Sequence, residues 1–115
     1  MRLTRSFCMK RFLQRSTRPT AVFATCDILA AGALQAIYEA GLHIPSYLSI
    51  VGFDNTYAPY LAPPLTTVEQ PVFEIGKQAA SLIIDHLQNN HSWESRVETL
   101  STRLIVRSST GPRPR

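Results

Sequence analysis

Acidic side chains follow two short apolar runs of the sequence, at positions where they could bind a ligand. Asp54 comes directly after residues 48–53, and the pair Cys26 and Asp27 comes directly after residues 20–25. A carboxylate at the end of a buried strand accepts hydrogen bonds from a polar ligand. Asp54 could equally cap the turn that follows it, as aspartate often does. The local sequence leaves both roles open.

The two apolar runs are predicted to be the strands of one βαβ unit. Residues 20–25 and 48–53 are short and apolar, and residues 28–42 between them have helical spacing. Asp27 stands at the N-cap position of this helix, and Gly41 stands where the helix should end. The whole segment takes about 35 residues, which is the usual length of a βαβ unit.

A right-handed crossover makes the two predicted strands parallel, so their carboxyl ends lie at the same edge of the sheet. Cys26, Asp27, Asp54 and Asn55 are therefore expected together at that edge. In open α/β sheets, small molecules bind just outside the carboxyl ends of the strands. The sequence thus predicts a small-molecule site at this edge.

Further helices and strands are predicted on both sides of this unit. A first helix over residues 3–16 ends before Pro19, and another helix covers residues 71–89 with a proline in its first position. Extended segments are predicted at residues 66–68, 97–100 and 104–107, and a polar loop at residues 90–94. The predicted fold class is α/β, with a partial parallel sheet and flanking helices.

Charge is distributed unevenly along the 115 residues. The formal net charge is +4, but residues 1–18 carry six basic side chains and no acidic one. Such a start also resembles an organellar transit peptide in composition. Residues 19–112 carry four basic and eight acidic side chains, so the middle of the chain is acidic. This argues against a folded nucleic-acid-binding surface in the core, although a basic arm could contact phosphates weakly.

Sequence motifs for phosphate binding, metal binding and covalent catalysis are not found. The five glycines have neither dinucleotide-binding nor P-loop spacing, and the three histidines are not at metal-ligand spacing with the two cysteines. Cys26 has no histidine in an obvious position to act as its base. No apolar run is long enough for a secretory signal or a membrane span. We therefore expect no enzyme activity, cofactor, metal or membrane partner, and a cytoplasmic location.

Four motifs occur in an order and at a spacing that are specific to one protein family. They are PTAVFATCDILAAGAL at residues 19–34, EAGLHIP at 39–45, LSIVGFD at 48–54 and PPLTTVEQP at 63–71. With these motifs the sequence resembles the lactose/galactose-repressor family of bacterial transcription regulators. The resemblance runs continuously from about Phe12 to Ser109.

The resemblance implies a type I periplasmic-binding-protein-like fold of two lobes, of which this sequence resembles the last third. A helix-turn-helix headpiece and most of the first lobe are not found in these residues, so a truncated sensor domain over residues 1–109 is expected. Residues 1–69 would correspond to part of the second lobe. Residues 70–95 would correspond to a crossover helix of the first lobe, residues 96–109 to strands that return, and residues 110–115 to a disordered tail.

The resemblance also implies roles for single residues. Asp54 matches the family carboxylate that hydrogen-bonds sugar or purine effectors, and Gln70 matches a crossover position near the cleft. Cys26 stands where the family often has an asparagine that contacts the effector, and a thiol is a weaker hydrogen-bonding group than an amide. Asp27 matches the acid that follows, and it is expected at the effector site and as a helix cap. The segment expected at a homodimer interface consists of Tyr57, Ala58, Tyr60 and Leu61.

The leading hypothesis is the effector-sensing part of a sugar-responsive repressor that binds DNA only through its headpiece. A sugar-binding protein of a transporter has the same sensor fold and is the alternative from another class. A truncated reading frame without independent function is the third hypothesis. With most of the first lobe missing, the helix at residues 71–89 is expected to expose its apolar side chains. These are Val72, Ile75, Ala79, Leu82 and Ile83.

Overall fold

The computed structural model describes the backbone of residues 2–89 and 94–115, and the side chains from Ser6 onward in those ranges. Within these residues the chain forms three α-helices, four strands and one short 3-10 helix. In chain order they are α1 (Arg2–Leu13), β1 (Ala21–Phe23), α2 (Asp27–Glu39), β2 (Ser49–Asp54), the 3-10 helix (Ala58–Tyr60), β3 (Thr66–Glu69), α3 (Val72–Asn89) and β4 (Arg103–Ile105).

The chain folds into two compact units. The first contains Met1–Glu69 and Arg103–Arg115, and the second contains Gln70–Thr102. The sheet, α1 and α2 belong to the first unit, whereas α3 belongs to the second. The chain therefore leaves the first unit after Glu69 and returns to it at Arg103.

The sheet has the order β1-β2-β3-β4, and its first three strands are parallel. α2 connects β1 to β2, so the predicted βαβ unit is confirmed. β4 pairs with β3 in the antiparallel direction. Asp54 lies opposite Glu69 in the register of β2 and β3. The carboxyl ends of the three parallel strands consequently share one edge, which the sequence predicts for β1 and β2 but not for β3.

The core of the first unit holds these strands in place. Its largest side chains, which are almost completely buried, are Ile37, Leu48, Ile50 and Leu65. The small buried residues Ala30, Ala33 and Ala36 come from α2, and Met9 and Leu13 come from α1. Burying a large aliphatic side chain stabilises the fold by about 1.5–3 kcal/mol. This cluster therefore fixes the strands whose ends form the candidate site.

The C-terminal segment joins the amino-terminal ends of β2 and β3. The buried Ser109 hydroxyl donates a hydrogen bond to the Ile50 carbonyl oxygen (2.6 Å) and accepts one from the Thr66 amide (2.8 Å). The Ile50 amide in turn donates to the Ser109 carbonyl oxygen (2.9 Å). Buried backbone groups need such partners. Ser109 therefore supplies the hydrogen bonds that a neighbouring strand would otherwise make.

Replacing Ser109 with Ala is expected to lower the free energy of unfolding by about 2–3 kcal/mol, because it leaves two buried backbone groups without a side-chain partner. Urea denaturation followed by circular dichroism measures this loss. Ser108→Ala is the matched control, since Ser108 is exposed and its amide, which donates to the Pro64 carbonyl oxygen, is retained. Equal midpoints for the two variants would contradict the assigned role of Ser109.

The same segment corrects the predicted tail at residues 110–115. The Gly111 amide donates to the Ser49 hydroxyl oxygen (3.0 Å), and the hydroxyl groups of Thr110 and Thr66 are hydrogen-bonded to each other (2.9 Å). The prediction of disorder is therefore wrong for Thr110 and Gly111. Polar groups at the ends of β2 and β3 hold these two residues in place. The proline- and arginine-rich composition of the tail gives no sign of these contacts.

Other predicted boundaries also differ from the structure. α1 ends at Leu13 instead of residue 16. Residues 97–100 form no strand, since they belong to the second unit and no strand pairs with them there. The return to the sheet begins at Arg103, later than the predicted residue 96. The predicted polar loop at residues 90–94 lies outside the described residues except for Glu94.

α3 exposes apolar side chains, as the sequence predicts. None of its residues is buried, and Val72, Ile83 and Leu87 are 68%, 56% and 72% exposed. Ile75 and Leu82 line a shallow groove of the second unit together with Leu100. Among the described residues, no helix has both the length and the apolar character that crossing a membrane requires.

Candidate functional site

The candidate site lies at the carboxyl edge of the parallel strands in the first unit. Cys26 follows β1 and begins α2, Asp54 ends β2, and Glu69 ends β3. Asp54 and Glu69 are register partners across β2 and β3. The structure therefore brings Cys26 and Asp54 to one edge, where the sequence predicts a small-molecule site.

Asp54 uses one carboxylate oxygen for its own turn. Its Oδ1 accepts a hydrogen bond from the Thr56 amide (2.9 Å), so the turn-capping role left open by the sequence is present. Its Oδ2 has no hydrogen-bond donor among the described residues, and the side chain is only partly buried. Asp54 therefore retains one carboxylate oxygen that can accept hydrogen bonds from a ligand.

The backbone at Asp54 has an unusual conformation. Its φ is +105°, and the φ of Asn55 is +58°. Positive φ is uncommon for residues other than glycine, although asparagine and aspartate adopt it more readily than most. Two such residues in succession cost free energy, and they persist only where surrounding contacts hold them. Backbone strain of this kind is concentrated at functional sites.

Asn55 is held by one side chain from β3 and by another from just beyond the end of β4. Its Nδ2 donates to Glu69 Oε1 (2.9 Å), and its Oδ1 accepts from Arg107 Nη2 (2.8 Å). Arg107 Nη1 also donates to the Leu65 carbonyl oxygen (2.9 Å), which anchors the guanidinium group. Arg103 Nη2 donates to Glu69 Oε2. These four side chains form one continuous polar network beside Asp54.

Glu69 carries the negative charge of this network. The hydrogen bond from the Arg103 guanidinium group lowers the pKa of the Glu69 carboxyl group below its ordinary value, and the hydrogen bond from Asn55 lowers this pKa further. Both partners bind the ionised form and so favour it. Glu69 consequently stays ionised at neutral pH, which keeps both of its oxygens available as acceptors.

The lowered pKa of Glu69 predicts a pH dependence. The folded-state pKa lies below the unfolded value, so ionised Glu69 stabilises the fold above the unfolded pKa. This stabilisation is lost as pH falls through the folded pKa, below about 4.5. A carbon-detected NMR titration of the Glu69 carboxyl group measures the midpoint directly. We expect it below 4.5 in the parent chain and higher in Arg103→Ala; a midpoint unaffected by Arg103→Ala would contradict the assignment.

Asp27 does not have the position expected of it. Its side chain is 0% exposed, and Cys26 is the N-cap of α2, without a side-chain capping bond. Asp27 Oδ1 accepts from the Thr67 hydroxyl group (2.7 Å). Its Oδ2 accepts from the amides of Tyr57 (3.3 Å) and Ala58 (3.1 Å). Asp27 is therefore wrongly predicted as an effector contact and helix cap, because internal donors occupy both of its oxygens.

This buried carboxylate has a structural role that supports the site. It joins the start of α2 to β3 and to the segment that begins the 3-10 helix. The turn at Asp54 and Asn55 lies immediately before that segment. Asp27 therefore fixes the far end of the turn, whereas Glu69 and Arg107 hold its beginning through Asn55.

Cys26 is partly buried and forms no disulfide. Its carbonyl oxygen accepts hydrogen bonds from the amides of Leu29 and Ala30, both at 3.1 Å, so its backbone is fixed by the first turn of α2. A thiol there is a weak hydrogen-bonding group. No cluster of three metal-binding side chains occurs in the described ranges 2–89 and 94–115.

The remaining predicted residues divide into two groups. Gln70 belongs to the second unit, so its contact with an effector stays a prediction. Tyr57 and Tyr60 are 50% and 85% exposed, which leaves their rings available to a partner. Ala58 is completely buried and Leu61 packs against the core, so the prediction of Ala58 as an interface residue is wrong. The Asp27 hydrogen bond draws Ala58 inward.

Three site residues were not predicted from the sequence, namely Glu69, Arg103 and Arg107; Asn55 was expected at this edge but not as a bridging residue. Glu69 ends the third parallel strand just as Asp54 ends the second, so its position was a usable signal. Arg103 and Arg107 lie more than thirty positions later in the sequence. Only the return of the chain to the sheet brings them to this edge.

Comparison with known proteins identifies the family. The family model of the periplasmic binding protein-like domain matches residues 2–110. The chain belongs to this family. The predicted resemblance to the repressors of the lactose/galactose type and the predicted periplasmic-binding-protein-like fold are both confirmed.

Two transcriptional repressors are similar in sequence to this chain. It is 41% identical over 110 residues to the HTH-type transcriptional repressor CytR of Escherichia coli (strain K12), covering 95% of this chain and 32% of CytR. It is 39% identical over 107 residues to the repressor PurR of Pasteurella multocida (strain Pm70), covering 92% of this chain and 32% of PurR. The chain therefore spans about a third of the length of these repressors.

A solved structure shows the same fold in a related regulator. The LacI family transcriptional regulator of Enterococcus faecalis V583, solved with bound ribose, has a TM-score of 0.83 and 36% sequence identity to this chain. The alignment covers 96% of this chain and 41% of the regulator. The four-stranded sheet and its helices are therefore those of a LacI-family sensor domain.

Proposed function

We propose that this chain is the effector-sensing part of a sugar-responsive transcriptional repressor and that Asp54 Oδ2 binds the effector. The observation that carries the proposal is the arrangement of the Asp54 carboxylate. One of its oxygens fixes a turn, and the other, at the carboxyl edge of the sheet, has no donor within the part of the chain that the structure describes. The homology to CytR and PurR supports the regulatory role.

The effector is proposed to be a neutral polyol such as a sugar. An ionised oxygen accepts hydrogen bonds from hydroxyl groups and repels anions. Cys26 at the same edge offers only a weak donor, so Asp54 would provide the principal polar contact from this unit. The bound ribose in the Enterococcus faecalis regulator supports a sugar as the class of effector. Gln70 is proposed as a further contact.

The arrangement within the intact repressor is also a proposal. The first unit would form part of the second lobe, and α3 would belong to the first lobe. Tyr57 and Tyr60 would contribute to a homodimer interface through their exposed rings. DNA would be bound only by a headpiece, in the cytoplasm, as expected of a repressor. The relatives named above are repressors and none is a transporter component, so the transporter alternative is not favoured.

An NMR titration with D-ribose tests the proposal. We expect millimolar D-ribose to shift the amide resonances of Asp54, Thr56 and Cys26 in the ¹⁵N-labelled full chain, because binding at Asp54 Oδ2 changes the environment of the strand ends. Glycerol at equal concentration controls for a general solvent effect. Shifts that are equally small for both compounds over the whole chain would argue against a ribose-type effector at this edge.

A further inference from the structure

Glu69 and Arg103 hold special positions in the chain. Glu69 is the last residue of the first unit before the chain enters the second, and Arg103 is the first residue after it returns. The two residues are also register partners in β3 and β4, and their side chains form an ion pair. The ion pair therefore joins the two points at which the chain passes between units.

The side chain of Asn55 links the Asp54 turn to this ion pair. Asn55 binds one oxygen of Glu69, and Arg103 binds the other. Asn55 also accepts a hydrogen bond from Arg107, just beyond the end of β4. Since Asn55 has a positive φ, these side-chain hydrogen bonds help to hold a backbone conformation that is uncommon for residues other than glycine.

We propose that Asn55 is a positioning residue that couples the Asp54 turn to the crossover residues Glu69 and Arg103. When the Glu69–Arg103 pair is intact, both oxygens of Glu69 are fixed, and Asn55 is held in the conformation that presents Asp54. When the pair is broken, Glu69 reorients and the turn loosens. This inference deepens the proposed function, and it rests on that function for the significance of Asp54 as the effector contact.

The coupling is reciprocal by thermodynamic necessity. A change in the Asp54 turn must alter the Glu69–Arg103 pair by the same free energy with which the pair alters the turn. One polar network therefore contains the turn that presents Asp54, the proposed effector contact, and the two residues at which the chain passes between the units, Glu69 and Arg103. A change at Arg103 can thus alter the Asp54 turn through the network, without a direct contact between Asp54 and Arg103.

Two amides in the same segment distinguish coupling from general loosening. The Thr56 amide is bound to Asp54 Oδ1, whereas the Ala58 amide is bound to the buried Asp27. We would measure solvent exchange of both amides by NMR in the full chain without any sugar. The variants are Asn55→Gly, which keeps positive φ accessible and removes the amide group, and Arg103→Ala, which breaks the ion pair.

We expect exchange at the Thr56 amide to accelerate about tenfold in Asn55→Gly and about threefold in Arg103→Ala, with no change at the Ala58 amide; these factors correspond to about 1.4 and 0.65 kcal/mol. Arg103→Lys should restore part of the protection, since it keeps the charge. Glu98→Ala is the control, because the exposed Arg96–Glu98 pair lies in the second unit.

Unchanged exchange at Thr56 in Arg103→Ala would overturn the coupling, as would equal acceleration at Thr56 and Ala58. If Asn55→Gly does not fold, the comparison of Arg103→Ala with Arg103→Lys decides the question alone. The experiment uses no ligand, so its failure leaves effector binding at Asp54 untouched. A chain that ignores D-ribose but shows the expected exchange pattern would count against the proposed function only.

Discussion

Asp27→Ala is expected to lower the free energy of unfolding by about 3–5 kcal/mol, because it leaves three donors unpaired and each unsatisfied buried donor costs about 1–3 kcal/mol. The substitution leaves the Thr67 hydroxyl group and the amides of Tyr57 and Ala58 without their acceptor. Because Asp27 is completely buried, water does not replace the lost acceptor without entering the core. Chemical denaturation measures the effect.

Asp27→Asn removes the carboxylate of Asp27 but leaves an amide group that can form hydrogen bonds with the same partners. Its amide oxygen can still accept from the backbone amides, and its NH₂ group can donate to Thr67 Oγ1, since a hydroxyl group also accepts. We therefore expect a loss of only about 1 kcal/mol, the net value of a typical hydrogen bond. Asp85→Ala on the exposed surface of α3 is the control. A stability loss from Asp27→Ala no larger than that control would contradict the role of Asp27.

Gly52→Ala is expected to destabilise the chain by about 2–3 kcal/mol through overpacking. A Cβ atom at Gly52 would lie 2.5 Å from Asp27 Oδ1 and 2.6 Å from Leu65 Cδ2. Both neighbours are buried, and Asp27 is held by three hydrogen bonds, so neither side chain moves freely. Thermal unfolding followed by circular dichroism measures the loss.

We expect no loss of stability when the same substitution is made at Gly76. No atom lies within 4 Å of the Cβ that it would add, and Gly76 lies within α3. Alanine in a helix is more favourable than glycine by about 1 kcal/mol, so this variant should be neutral or slightly more stable. If Gly52→Ala and Gly76→Ala shift the melting temperature equally, close packing at Gly52 is not the cause.

The βαβ unit and the edge at which its strands end could be predicted from the sequence. Short apolar runs separated by a helical spacing indicate parallel strands, and parallel strands place Cys26 and Asp54 on one edge. The family motifs add the periplasmic-binding-protein-like fold. These predictions depend on local patterns and on the handedness of connections, which a single sequence contains.

The environment of each carboxylate could not be predicted in the same way. Asp27 and Asp54 both follow apolar runs, yet Asp27 is completely buried, whereas one oxygen of Asp54 has no donor among the residues that the structure describes. The difference depends on Thr67, Ala58 and their amide and hydroxyl groups, which approach Asp27 only in the folded chain.

Contacts between distant parts of the sequence explain the other differences. Ser109 and Gly111 are ordered because the ends of β2 and β3 bind them, not because of their own composition. Arg103 and Arg107 reach the site only because the chain returns from the second unit at Arg103. Such partners are not specified by local spacing, and no motif near them indicates their role.

The most direct test of the central claim is a D-ribose titration of Asp54→Asn beside the parent chain. The amide oxygen of Asn can still cap the turn through the Thr56 amide, while the oxygen available to an effector becomes an NH₂ donor. We predict unchanged melting temperature and an apparent affinity lower by about tenfold or more, the loss expected for a hydrogen bond to a charged group. Equal affinity in the two chains, with the parent binding measurably, would contradict the assignment of Asp54 as the effector contact.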